Sequence, residues 1–551
     1  MKHLRVFALA CLLGSAGPLL VRGQPESSAL PGPDGNKPQI DDRLAQGFAS
    51  PPDSARPRTW WHWVSGNVSS EGIAADLAAM KQIGLAGAQI FTVDQSSVKG
   101  PVVFMSPEWR ALVHQAMEEA HRLNLEMAME GCDGWSESGG PWVPASESMK
   151  KVVWSERQAA GGQKIALELP QPETIRGFYE DIALLAFPTP EGSSPPPPLR
   201  ITSSDPAFDG ARLLGPNAAA AEIDIGNAEQ PHWIQSEYAG PVTLRSVHIA
   251  TTDERASWNV EAGSDGVHFE RVGEDENATR SWPSGNVTRA SFKATTARFF
   301  RLVWRGGSPG AKRVSVTALD FGGAQLDHVE DRVGLLPSVN SSEFVEMALS
   351  AKEAIDPGSI VNLTGRRDWL APAGTWTVMR IGSTSTGATT HPSTTGGLEC
   401  DKMSAPAVQH HISNMFGPVF ADSPARVGTT LRYVLLDSWE AGCGNWTPRM
   451  PAEFKRLRGY DLTPWLPALA GRIIGSAELT QRFLWDFRRT QADLVAEDHY
   501  AVIQEYAHSH GMGLMSEATG IGMPTVADQL LCKKYTDIPM GEFWVNQTRD
   551  G

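Results

Sequence analysis

Cysteine is scarce. The 551 residues hold five, at 11, 132, 400, 443 and 532, and none forms a C-x-x-C pair. That spacing argues against a thiolate zinc site. Free buried thiols are the expectation, although an exported chain permits a disulfide. Basic charge is also in deficit, with 48 Lys and Arg against 63 Asp and Glu and a net charge of −15. A nucleic-acid binder shows a basic footprint, and a membrane-surface protein a polybasic segment. Tyrosine is rare, 7 residues against 18 Trp. Tryptophan stacks on the apolar faces of sugars but also fills cores. Long apolar runs are missing except near the start, from Val6 to Leu20. Lys2, His3 and Arg5 precede that run, and small residues and Gln24-Pro25-Glu26-Ser27 follow it. This is the order of a secretory signal, so an exported chain, periplasmic or extracellular, without a transmembrane segment is expected. Gly-rich phosphate loops and a G-x-S-x-G elbow are absent, which removes support for nucleotide and serine-hydrolase chemistry. His410-His411 adjoins no obvious third ligand and reads as a solvated pair.

What is present alternates strands with helices. Thr59–Val64, Ala88–Val93 and Leu125–Glu130 read as strands, with helices over Ser70–Ile83 and Pro107–Leu123 between them. From about 150 to 335 the period switches to short alternating strands. There Trp233-Ile234-Gln235-Ser236, Gly263-Ser264-Asp265-Gly266 and Arg298-Phe299-Phe300-Arg301-Leu302 resemble a galactose-binding-like jelly roll. The first rhythm then resumes. Helices are expected over Ala405–Phe416, Pro451–Arg458 and Ala477–Gly511, and strands over Tyr433–Leu436, Gly513–Ser516 and Ile538–Met540. The expected organisation is a signal (1–23), a linker (24–50), a first part of a catalytic barrel (51–149), an inserted β-sandwich (150–335), a mixed, mostly β connection (336–400) and a second, truncated part of the barrel (401–551). The fold class is α/β, a (β/α)8-type barrel incomplete in this chain, with an inserted all-β jelly-roll domain. Such a barrel has eight strands, and six are legible here. The expectation is therefore the N-terminal part of a longer protein.

The strand ends carry the chemistry. The most informative is Leu435-Leu436-Asp437-Ser438-Trp439-Glu440, an apolar run that breaks into two carboxylates, a hydroxyl and an indole. A parallel strand covered on both faces looks like this where it opens into a site. A buried ion pair beside a core Trp is the plainer alternative. The other ends carry His62 and Trp63, Asp94, Asp133 and Trp135, Glu517, and Glu542 and Trp544. Singly, each has a structural explanation. Asp94 could cap a helix, Asp133 could hold a turn and Glu542 could pair with Lys533 or Lys534. Together, six consecutive strand ends bearing a carboxylate or imidazole would converge on one pocket. Carboxylates interleaved with Trp suit glycoside chemistry, where one acid protonates the departing oxygen and one base activates water.

These residues resemble glycoside hydrolase family 106. The resemblance rests on Trp60-Trp61-His62-Trp63, Gly87-Ala88-Gln89-Ile90-Phe91, Gly134-Trp135-Ser136-x-Ser138-Gly139-Gly140-Pro141-Trp142, Gly397-Leu398-Glu399-Cys400-Asp401-Lys402, Asp437-Ser438-Trp439-Glu440, Asn445-Trp446-Thr447, Arg482-Phe483-Leu484-Trp485-Asp486 and Pro539-Met540-Gly541-Glu542-Phe543-Trp544. It implies an exo-acting, inverting α-L-rhamnosidase with a rhamnose-containing glycan or glycoside as partner. It also implies calcium, with ligands unknown. Glu440 is implied as the general acid. The base would come from a later strand. His62, Trp63, Asp94, Asp133, Trp135, Asp437, Trp439, Glu517 and Glu542 are then the expected substrate-binding set, with Glu542 and then Glu517 as substitute bases. A barrel glycosidase for another sugar and a non-catalytic carbohydrate-binding protein remain the alternatives.

Overall fold

In the computed structural model the described residues are 43–96, 98–192, 195–214, 219–226, 230–251, 258–274, 287–304, 313–322, 326, 329–335, 352–520 and 525–542. The signal, most of the linker, residues 336–351 and Trp544 lie outside them. Residues 1–55 are a separate unit, whose described part is the short helix Arg43–Ala49 and a 3-10 turn, Asp53–Ala55.

Alternation along six strands decides the central sheet of the second unit. They are β1 (Arg58–Val64), β2 (Gly87–Val93), β3 (Glu126–Asp133), β4 (Leu431–Leu436), β5 (Gly513–Ser516) and β6 (Ile538–Pro539), paired in parallel in that spatial order. Successive side chains leave opposite faces. Trp61, Trp63, Ile90, Met127, Met129, Val434, Leu436 and Leu514 join one core with the helix residues Ile73, Leu77, Trp109, Val113 and Phe416. Phe91, Val93, Ala128, Leu435 and Met515 form another cluster on the opposite face, joined by Val64, Trp135, Tyr433 and Ile538. Both faces are apolar, so the strands read as near-continuous hydrophobic runs. Among the described residues the sheet stays open, with no pairing between β1 and β6. A closed barrel is therefore not seen.

The helices start where the sequence supplies caps. Ser69 Oγ accepts the Gly72 N–H at the head of Ser70–Gln82, and Ser106 Oγ accepts that of Trp109 at the head of Pro107–Arg122. The helix Ala477–Leu494 runs on through a π-helical stretch, Val495–Tyr500, into Ala501–Ser509. A π-helical turn shifts side-chain register and is frequent at functional sites. No helix among the described residues is long and apolar enough to cross a membrane.

Between β3 and β4 lie two β units where the sequence suggested one sandwich. Lys150–Ala160, Tyr179–Pro188, Val361–Asn362 and Thr375–Ser385 make a four-stranded antiparallel sheet. Its strands thus come from both sides of residue 335. Nested between them is a seven-stranded sheet drawn from Arg200–Ser203 to Arg313–Gly322, with its own core around Ile234, Val260, Phe300, Leu302 and Val314. Alternation is the same in both units. It predicts strands but not partners.

Candidate active site

β4 and β5 deliver the acid groups. Leu435 faces the helix-free side and Leu436 the helices, so the alternation returns Asp437 to the helix-free side. Glu517 follows Ser516 on β5, and its N–H donates to the Leu436 carbonyl at 3.1 Å. The two strand ends are locked side by side. Burial pushes the Asp437 carboxyl up to about 8, and Glu517 and Glu440 add to it. Glu517 is pushed up to about 7 by burial and by Glu542, against a smaller opposing pull from Lys533. Glu440 is raised by burial and by Glu542. The Ser438 hydroxyl offsets part of this by donating to Glu440 Oε1 at 3.0 Å. Asp437, Glu440, Glu517 and Glu542 therefore share one field and converge. Unpaired, desolvated carboxylates that repel one another hold protons to higher pH.

A fifth carboxylate was not picked out from the sequence. Glu130 lies two positions beyond Ala128 on β3 and is fully buried. Burial, then Asp437, raises its pKa well above the ordinary range. The available signal was an acid set inside an otherwise apolar strand, Met127 to Cys132.

On β1 and β2, His62 is half-buried against Trp60, Phe91 and Trp135, with ring centroids at 5.8, 5.2 and 6.3 Å. Burial lowers its pKa, so the neutral imidazole is favoured. Trp60 is 37% exposed and, with half-buried Trp135, offers indole surface beside it.

Other expected site residues are otherwise engaged. Trp63 alternates to the helix side, where it packs edge-on to Trp61 and Trp109 at 5.5 and 6.1 Å. It cannot share a pocket with His62, because neighbours on a strand leave opposite faces. Trp439 is 4% exposed, with Lys402 Nζ 4.9 Å from its ring centroid. It is a core indole, not an open sugar platform. Asp94 pairs with Lys99 and accepts from Ser65 Oγ at 2.7 Å; the Lys99 hydrogen bond, then that of Ser65, lowers its pKa. Asp133 holds a turn. Its Oδ2 accepts from the Ser393, Thr394 and Thr395 hydroxyls at 2.8 Å each and from the Thr395 N–H at 2.9 Å. That grip brings residues 391–396 over the strand ends, where the His391 carbonyl accepts the Trp135 N–H and the Pro392 carbonyl that of Asp94. His391, exposed but with its pKa lowered by partial desolvation, was also not picked out from the sequence. Its position depends on a loop anchored some 260 residues from Asp133.

The His410-His411 pair is not uniformly solvated. His410 is exposed and bonded to Glu147 at 2.5 Å. His411 is fully buried, stacked on Trp142 at 5.9 Å and accepting its indole N–H. Adjacent residues on a helix point in different directions. Cys132, Cys400, Cys443 and Cys532 are free and buried. Lys533, offered as a partner for Glu542, donates to the Met540 carbonyl at 3.0 Å. A cavity of about 460 Å³ lies elsewhere, lined by Trp154, Tyr238, His248, Asp320 and Arg472, and contains none of the strand-end carboxylates.

Carboxylates crowded at the ends of parallel strands, with indoles beside them, mark a glycoside-cleaving class of site. The α-L-rhamnosidase family, glycoside hydrolase family 106, matches residues 49–551. The chain belongs to that family. It is 33% identical to a rhamnosidase from Novosphingobium sp. PP1Y, with a TM-score of 0.75 over 92% of this chain and 50% of that one. It is also 32% identical over 503 residues to a putative beta-glucuronidase from Formosa agariphila, covering 91% of this chain and 32% of that protein. The chain thus spans half or less of the length of these relatives.

Proposed function

We propose that this chain carries the acid-bearing part of an exported, exo-acting, inverting α-L-rhamnosidase, with Glu440 as the general acid. The observation that carries the reading is the mutual field of Asp437, Glu440, Glu517 and Glu542. A general acid must keep its proton near neutral pH until the leaving oxygen takes it. Burial and Glu542 move Glu440 in that direction, and the Ser438 hydroxyl donates to it. Asp437 and Glu517 then bind sugar hydroxyls, while His62, Trp60 and Trp135 present neutral and aromatic surface to the ring. The water-activating base is expected from a later strand of a barrel completed by further chain. The calcium implied by the family resemblance is given no ligands: among the described residues no three acidic, His or Cys side chains gather as a cation site.

The name of the Formosa relative raises a uronic acid as the alternative sugar. The electrostatics disfavour it here. A glucuronate carboxylate would enter a field already crowded with acids, against which Lys533 acts on Glu517. A neutral 6-deoxyhexose carries no such penalty. The test is a panel of aryl glycosides with the natural full-length protein. Release from the α-L-rhamnoside with inversion supports the reading, and preferential release from the β-glucuronide overturns it. Wild-type-like turnover by residues 1–551 alone would move the base role to Glu517 or Glu542.

A further inference from the structure

Beneath the strand ends lies a second polar layer that the proposed chemistry does not use. It gathers the motifs at 136–142 and 397–402. Glu137, Ser138, Glu399, Lys402, His499 and Tyr500 are each 2% exposed or less. Lys402 Nζ donates to Glu399 Oε2 at 2.5 Å and sits over the Trp439 ring. Burial pulls the Lys402 ammonium down, but Glu399 and Glu137 outweigh it and hold it up at about 12. Glu137 Oε1 accepts from the Tyr500 hydroxyl and from the Thr519 N–H, the latter at 3.3 Å. The π-helical stretch supplies Tyr500 and also His499, whose Nε2 meets Ser138 Oγ at 3.2 Å.

Two of these contacts reach the acid-bearing loops. Trp439 lies between Ser438 and Glu440, and its indole N–H closes the loop on the Gly442 carbonyl. Thr519 lies two residues past Glu517. Ala518 and Thr519 both have left-handed backbone, φ 48° and 79°, a conformation costly for a β-branched residue and held only where surroundings enforce it. The Thr519 carbonyl accepts the Trp439 N–H at 3.3 Å. A continuous chain of contacts therefore runs from Tyr500 through Glu137 and Thr519 to Trp439, with Lys402 closing on the indole from the other side.

We infer that Glu137 and Lys402 are positioning residues that hold the loops bearing Glu440 and Glu517 in fixed register. The inference rests on the rhamnosidase reading of Glu440. Neither residue touches the sugar. Glu137 pins the strained turn after Glu517, and Lys402 fixes the indole beside Glu440. A buried ion pair is weak evidence for net stability but good evidence for a fixed geometry where both partners are held. Small displacements of an acid are costly to turnover.

The test uses the natural full-length protein and two aryl α-L-rhamnosides, one with a poor and one with an activated leaving group. Glu137→Gln keeps the acceptor for Tyr500 and Thr519. Glu137→Leu removes it. In Glu137→Leu, kcat on the poor leaving group should fall roughly 10–100-fold, against about threefold on the activated one, with KM little changed. Glu137→Gln should recover most of the loss. Lys402→Met combined with Glu399→Gln, which removes both charges together, should show the same leaving-group selectivity. A folded Glu137→Leu with equal losses on both substrates, or none, overturns the inference. If that variant does not fold, Tyr500→Phe decides: a selective loss supports the inference and wild-type selectivity overturns it. Glu440→Gln is run alongside. If it is equally impaired on both substrates, the acid assignment falls, and the positioning claim is decided by hydrogen exchange. Faster exchange confined to 437–442 and 517–520 in Glu137→Leu supports it, and unchanged exchange overturns it.

Discussion

Carboxylates in the β insert and carboxylates at the parallel strand ends are treated in opposite ways. In the insert, Glu237 lies between Arg200 and Arg298 at 2.5 and 2.7 Å, and those partners hold its pKa down. Glu261 takes Arg301 at 2.5 Å, whose guanidinium also covers the Phe269 ring at 3.7 Å. In the neighbouring four-stranded sheet Asp181 takes Arg380 through both oxygens and is likewise lowered. At the strand ends Asp437, Glu440 and Glu517 have acidic neighbours and are raised. In the β units these acids are paired with arginine, and among the described residues no arginine pairs with Asp437, Glu440 or Glu517 where β4 and β5 end. Keeping unpaired buried acids costs stability, and such a cost is characteristic of sites kept for chemistry.

The largest expected effect breaks the comparison at its functional end. In the full-length protein Glu440→Gln should lower turnover on poor leaving groups by roughly 10²–10⁴-fold. The loss should be much smaller on an activated aryl rhamnoside. Equal losses in steady-state assays would make Glu440 a base, a nucleophile or a structural group. Next comes Asp133, the strand-end acid whose Oδ2 accepts four hydrogen bonds from 393–395. Asp133→Ala should cost about 2 kcal/mol in denaturant unfolding and speed hydrogen exchange across 391–396. Unchanged exchange there would show that the loop holds itself.

A third test sets the two regions against each other by pH. Asp437 and Glu517 hold protons in the native state up to about 8 and about 7, against about 4 in an unfolded chain. Between those values the native state binds more protons, so stability should fall as pH rises from about 4 to 8. Asp437→Asn should flatten that fall and stabilise the protein at pH 8 by about 1 kcal/mol or more. Asp181 and Glu237 are lowered, so their contribution is present above about pH 4 and lost as pH falls through their folded values. Glu237→Gln should therefore destabilise at neutral pH. Thermal midpoints of the two variants moving in the same direction at pH 8 would remove the contrast. The smallest effect is at Trp63. Trp63→Phe should leave KM unchanged, whereas Trp135→Ala should raise it. A matching rise in both would place Trp63 in the pocket after all.

Much of this was legible in the sequence, and particular residues show where legibility stopped. The six strands were visible because runs such as Tyr433–Leu436 are apolar on both faces and end in carboxylates. Trp63 was misread: grouping it with His62 in the substrate-binding set overlooked that alternation forbids it the face of His62. A turn-holding role for Asp133 was open in the sequence, but its partners at 393–395 and the placement of His391 were not, because they lie in a distant stretch that no local pattern marks. Glu130 was hidden by the apolar run around it. The strand partners of 150–188 were hidden because alternation carries no pairing information.

One further consequence concerns time. β3 and β4 are neighbours in the sheet, yet about 300 residues of inserted chain separate them, a contact of long sequence separation and slow to form. At ribosomal elongation rates that interval lasts roughly 15–60 s. During it the β3 edge has no β4 to pair with. The inserted β units, with their own cores, can fold meanwhile. The ties of 391–395 to Trp135, Asp94 and Asp133 can form about 40 residues before β4 emerges. The anchor that shapes the mouth of the site is thus also placed to guide the late strand to its edge during synthesis.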